Sequence, residues 1–116
     1  MIEIIKTSIS LTRGDSAYIN FTLTGDDGQP VVLNQSDKVR CQVRDKTVSG
    51  KLIFEGSITV SGSQIVWHIR PEDTMNAEIG TYYWDAQVEY ANGDVFTFVE
   101  VSRFTLLPEI TLLNNG

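Results

Sequence analysis

Cysteine and histidine are nearly missing from this sequence, with Cys41 and His68 its only examples. A lone cysteine rules out an intramolecular disulfide, and a chain folding in a reducing cytosol is the simpler expectation. One His and one Cys cannot complete a zinc site without two carboxylates. No glycine-rich stretch bridges a strand to a helix, so no phosphate-cradling loop is expected. No apolar run approaches the roughly 20 residues needed to cross a bilayer. The opening Met1-Ile2-Glu3-Ile4-Ile5-Lys6 carries an acid and no long apolar core, which does not read as a signal peptide. Positive charge is also scarce: the net charge of −6 argues against nonspecific contact with nucleic acid or an anionic membrane. The sequence therefore predicts no cofactor, no metal, no nucleic acid and no membrane.

What is present is alternation. Ile19, Phe21 and Leu23 interleave with Tyr18, Asn20 and Thr22. Val39, Cys41 and Val43 do the same with Lys38, Arg40, Gln42 and Arg44, and Ile65, Trp67 and Ile69 with Val66, His68 and Arg70. Tyr82, Trp84, Ala86, Val88 and Tyr90 interleave with Tyr83, Asp85, Gln87 and Glu89. A period of two gives each run one buried and one wet face, the mark of half-buried antiparallel strands. Asp27-Gly28, Ser61-Gly62 and Asn92-Gly93 supply turn residues, and the last is the best hairpin signal. With one further strand around Ile4–Leu11, about seven or eight strands are expected, the spacing of a sandwich. At 116 residues the chain is one domain, taken as 1–108 with a C-terminal tail at 109–116.

One segment breaks the alternation. Pro71, Glu72 and Asp73 suit the start of a helix and Gly80 suits its stop, so a short helical turn is predicted before the penultimate long strand. It leads into Gly80-Thr81-Tyr82, which resembles the corner of immunoglobulin-like domains where a tyrosine hydroxyl bonds back to the backbone. Gly80 and Tyr82 are the corner residues, and Trp84 stands where antibody domains place their second cysteine. The fold expected is an all-β, Ig-like antiparallel sandwich without the inter-sheet disulfide.

Charge is unevenly spread. Lys38, Arg40, Arg44, Lys46 and Lys51 crowd one stretch, while acids dominate from Glu72 to Glu109. If the Lys38–Lys46 and Tyr82–Tyr90 strands are neighbours, Arg40 and Arg44 oppose Asp85 and Glu89. That is a cross-strand ladder worth roughly 0.2–1 kcal/mol per pair. An internal ladder that fixes register is the favoured reading; a face meeting opposite charges on neighbouring subunits predicts the same alternation.

No catalytic set emerges. Cys41 falls on an inward face and His68 on an outward one, too far apart in phase for a nucleophilic pair. The loop acids Asp26, Asp27, Glu72 and Asp73 lack the alternating spacing of a calcium loop. Arg13-Gly14-Asp15 spells an integrin-type tripeptide but sits where turn chemistry explains it.

Several segments taken in order resemble a family of small tailed-bacteriophage virion domains, including the N-terminal domain of upper baseplate proteins. They are Arg13-Gly14-Asp15, Asp37-Lys38-Val39-Arg40, Pro71-Glu72-Asp73-Thr74, Ile79 to Val88, Asn92 to Thr97, and Arg103 to Leu106. The resemblance implies a non-enzymatic structural part of a phage particle, located in the virion and made in the bacterial host cytoplasm. Its partners would be other virion proteins and further copies of the chain. Ile110, Leu112 and Leu113 make the tail apolar and are the candidate protein interface. The alternative is a carbohydrate-binding or adhesive Ig-like module, which would need exposed aromatics, with Tyr18, Tyr83 and Trp67 the candidates; an enzyme comes last.

Overall fold

The computed structural model describes residues 2–5, 7–25 and 27–111, the first four by backbone alone. The alternating runs become nine strands among the described residues. In chain order these are β1 (Ile2–Ile5), β2 (Ser8–Thr12), β3 (Ala17–Thr22), β4 (Lys38–Arg44), β5 (Leu52–Phe54), β6 (Ser57–Ser61) and β7 (Gln64–Ile69). A single turn of helix, α1 (Pro71–Thr74), precedes β8 (Gly80–Glu89) and β9 (Val95–Leu107). The strand expected near Ile4–Leu11 is two strands, broken at Thr7 and folded back as an antiparallel hairpin.

Two sheets form a sandwich. One has six strands in the order β1-β2-β9-β8-β4-β5, the other three in the order β3-β7-β6. The trio β4-β8-β9 and the trio β3-β7-β6 occupy the places of strands C-F-G and B-E-D in an immunoglobulin-like fold. One pairing departs from the antiparallel expectation: β2 runs parallel to β9, with Ile9 beside Phe104 and Leu11 beside Leu106. Local alternation says which face a residue takes and nothing about the direction of a partner ninety positions away. Because β2 covers only the last part of β9, the stretch of β9 before Phe104 has β8 as its one strand partner among the described residues. Two register shifts against β8 kink that stretch, the bulged geometry by which natural edges resist pairing.

The inter-sheet space is filled by aromatic rings where a disulfide would stand in an antibody domain. Trp67 of β7 and Trp84 of β8 lie with ring centroids 5.1 Å apart, and Phe54 and Phe104 pack around Trp67. Both indoles are buried, and both N–H groups are satisfied: Trp67 donates to the Glu55 carbonyl at 2.8 Å, Trp84 to the Thr7 carbonyl at 2.9 Å. Unpaired, each buried donor would cost about 1–3 kcal/mol.

Glu55-Gly56 is where the chain passes from the six-stranded to the three-stranded sheet. Gly56 has φ +68, and a Cβ there would lie 2.7 Å from both the His68 carbonyl oxygen and the Trp67 indole nitrogen. The α1 turn is capped by Asp73, whose carboxylate accepts the Arg70 N–H at 2.8 Å. Beyond it Gly80, at φ +150, opens β8, and the buried Tyr82 hydroxyl donates to the Glu78 carbonyl.

The crossing gives a graded test by urea denaturation. Gly56→Ala should cost about 2–4 kcal/mol, from backbone strain and the clash together. Gly62→Ala meets a similar φ of +64 with nothing near its Cβ. It should cost only about 1–2 kcal/mol. Equal losses would show that Gly56 matters for its dihedral alone.

Candidate functional site

The outward face of β4 and β8 is where charged side chains converge. Alternation sends Val39, Cys41 and Val43 inward, leaving Lys38, Arg40, Gln42 and Arg44 outside. On β8 it sends Tyr82, Trp84, Ala86 and Val88 inward, leaving Tyr83, Asp85, Gln87 and Glu89 outside. After β4 the chain makes a tight loop that stands over this face. Ser49 sits at φ +55, the Lys51 N–H donates to the Asp45 carboxylate at 2.7 Å, and the Asp45 N–H to the Lys51 carbonyl at 3.2 Å. Between loop and sheet lies an open groove of about 390 Å³, whose charged lining is Arg40, Arg44, Lys46 and Asp85.

Arg44 organises the groove. Its guanidinium donates to the Gly50 carbonyl at 2.8 Å and to the Gln42 side-chain oxygen at 2.9 Å, so the loop and the strand hold one cation between them. Partial burial raises the Asp85 carboxyl above its usual range, and the nearby Arg44 charge opposes that shift. The register refines the charge ladder. Arg40 faces Gln87 directly and Arg44 faces Tyr83, while Gln42 stands opposite Asp85 and Lys38 opposite Glu89. The charge contacts are therefore diagonal: Arg40 reaches Glu89 at 3.9 Å with both side chains well exposed, a pair worth about 0–1 kcal/mol. Tyr83, Gln42 and Lys46 belong to the groove although only their strand phase, or for Lys46 its basic neighbourhood, hinted at it in the sequence.

Other candidate residues fall elsewhere. Cys41 is buried between the sheets, and burial, helped by Asp85, pushes its thiol up to about 12. His68 lies on the outer face of the three-stranded sheet, its ring stacked on Tyr18 at 4.2 Å, so no Cys–His pair forms. Asp27 accepts the Gln29 N–H within a turn, and Asp73 is spent on its cap. Among the described residues no three His, Cys, Asp or Glu side chains gather as a metal would need. Arg13 of the integrin-like tripeptide is a clamp: it bonds the Glu109 carboxylate at 3.1 Å and the Ala77 carbonyl at 3.1 Å, while the Gly14 N–H donates to the buried Thr74 hydroxyl at 2.9 Å. Residue 109 is thus tied to the sandwich, and Ile110 beside it is 99% exposed. Leu112 and Leu113 lie outside the described residues.

No family model and no curated protein matches this chain. Among solved structures it is similar to CopC from Methylosinus trichosporium OB3b, with 14% identity over 89% of this chain and 86% of that one, and a TM-score of 0.50. That likeness is one of fold. It corrects the resemblance to phage virion domains, because the similar protein is not a phage protein and nothing else supports one. The function as a phage structural part and the location in a virion fall with it. The physical reason is visible in the segments that carried the resemblance. Arg13-Gly14 is a clamp, Pro71–Thr74 a cap, Gly80–Tyr82 a corner and Asn92-Gly93 a hairpin turn, which any such sandwich requires. Of the aromatics that the adhesive alternative would use, Trp67 is buried, Tyr83 lines the charged groove, and Tyr18, though exposed, is stacked on His68.

Two titrations check these assignments. Cys41 should resist a thiol reagent at neutral pH in the native state and react on unfolding; labelling of the folded protein within minutes would contradict its burial. The Arg13 contact lowers the Glu109 carboxyl below its ordinary 4.5. A lowered carboxylate contributes stability that is complete above that ordinary value and is lost as pH falls through the lowered one. Glu109→Gln should accordingly flatten part of the acid limb in melts recorded between about pH 2 and 7. An unchanged limb would show the clamp to be idle.

Proposed function

We propose that this chain is a non-enzymatic binding domain whose groove takes an acidic segment of a partner protein. The observation that carries the reading is the convergence of Arg40, Arg44 and Lys46 against one acid, Asp85, in a chain whose net charge is −6. A cationic concavity on an otherwise acidic molecule selects its ligand by sign and repels other acidic surfaces. Arg44 suits the task because Gln42 and Gly50 already hold it, so little side-chain freedom remains to be lost on binding. Two of its five N–H donors are used there, and the others are free to meet a carboxylate. Such charge-assisted bonds contribute about 1.5–3 kcal/mol each.

Carboxylates suit the groove better than a nucleic-acid backbone. Tyr83 is its one tyrosine and Trp84 turns its ring inward, so successive bases would find no stacking platform. Catalysis has no support in the groove: its hydroxyls, Thr47 and Ser49, have no histidine beside them, since His68 lies on the other sheet. A transition-metal role lacks ligands, with Cys41 buried and His68 stacked.

Amide shifts on titrating a synthetic Asp/Glu-rich peptide give the test, with its Asn/Gln counterpart as control. Shifts should cluster on β4, the following loop and Tyr83, and Arg44→Gln should weaken binding roughly tenfold or more. Equal response to the neutral peptide, or a response only to a single-stranded oligonucleotide, would end this reading.

A further inference from the structure

A second feature lies at the far end of the sandwich and is independent of the groove. Where β8 turns into β9, Leu23, Val31, Tyr90, Val95 and Phe96, with Thr24, Gly25 and Asp94 among them, line an open hollow of about 460 Å³. Val95 is 58% exposed and Phe96 is 51% exposed, an apolar rim rather than a scatter of single side chains. The turn is held by the Tyr90 N–H on the Asp94 carbonyl, the Gly93 N–H on the Tyr90 carbonyl and the Asp94 N–H on the Asn92 side chain. The hollow is therefore a formed surface.

The other end of the same strand presents its complement. After β9 the backbone is anchored by the Arg13–Glu109 ion pair, and the next side chain, Ile110, stands 99% exposed. Ile110-Thr111-Leu112-Leu113 is apolar and uncharged, so it can approach an acidic molecule without repulsion. It cannot cover the hollow of its own chain. β9 has thirteen residues and spans roughly 40 Å, whereas Leu113 lies six positions past Leu107 and reaches at most about 22 Å from it. A second copy has no such restriction. The molecule is 47 Å along its long axis, with the anchor and the hollow at opposite ends of β9.

We infer that the chain associates head to tail, the segment beginning at Ile110 of one copy seating in the Leu23–Val31–Phe96 hollow of the next. A contact between two different patches can repeat as an open row or close into a ring, the smallest of which is two antiparallel copies exchanging tails. The bulged edge of β9 fits this arrangement, since it discourages the competing strand-to-strand dimer.

Head-to-tail contact has a complementation test in the full chain. Phe96→Asp spoils the hollow and leaves the tail; Ile110→Asp with Leu112→Asp and Leu113→Asp spoils the tail and leaves the hollow. By light scattering from about 10 μM to 1 mM, the unmodified chain should rise above monomer mass with concentration, and each variant alone should stay monomeric. An equimolar mixture of the two should form a heterodimer and stop there, because only one intact interface remains. A monomer at every concentration overturns the inference. So does an oligomer that survives both sets of substitutions, or a mixture that fails to associate. The acidic-peptide titration of the groove is read on either monomeric variant, so the two conclusions stand or fall separately.

Discussion

Trp67 and Trp84 face each other across the interior, one from each sheet, and the rest of the molecule is arranged around that contact. A pair of this kind contributes about 0.5–1.5 kcal/mol beyond the area it buries. Its structural reach is larger. Each indole N–H ties down a distant piece of chain: Glu55, where the backbone crosses between sheets, and Thr7, where the first two strands fold back. With no disulfide available to Cys41, these rings and their two hydrogen bonds clasp the sandwich.

That clasp determines what the surfaces can do. Seating Trp84 inward turns its neighbours Tyr83 and Asp85 outward, beside Gln42 and Arg44 of β4, and so forms the floor of the groove. Holding Thr7 over Trp84 also brings its hydroxyl to Ser102, where β2's cover of β9 begins; the start of β9 stays open beside the apolar hollow. The charged groove and the apolar hollow thus occupy different parts of the molecule.

Much of this was legible in the residues. The alternation around Trp67 and Trp84 placed both rings inside, and Gly80 and Tyr82 announced their corner. Placing β4 beside β8 followed from the immunoglobulin-like pattern. The misreadings share a cause: they concern relations between distant segments. The parallel seating of β2 on β9 leaves no local mark, and neither does the offset that sets Arg40 opposite Gln87 instead of an acid. The loop that walls the groove depends on Ser49 at positive φ and on Arg44 bonding Gly50, neither written in a periodicity. The phage resemblance was carried by turn and corner residues that serve the fold itself, which is why it pointed to the right architecture and the wrong role.

Hydrogen exchange of the two indole N–H groups, followed by NMR in the native protein, addresses the clasp directly. If both rings are part of one closed core, the two protons should exchange together and only through global unfolding, at the free energy measured by denaturation. Exchange of either indole within minutes, through local opening while neighbouring strand amides stay protected, would show that the sheets are held together by something else.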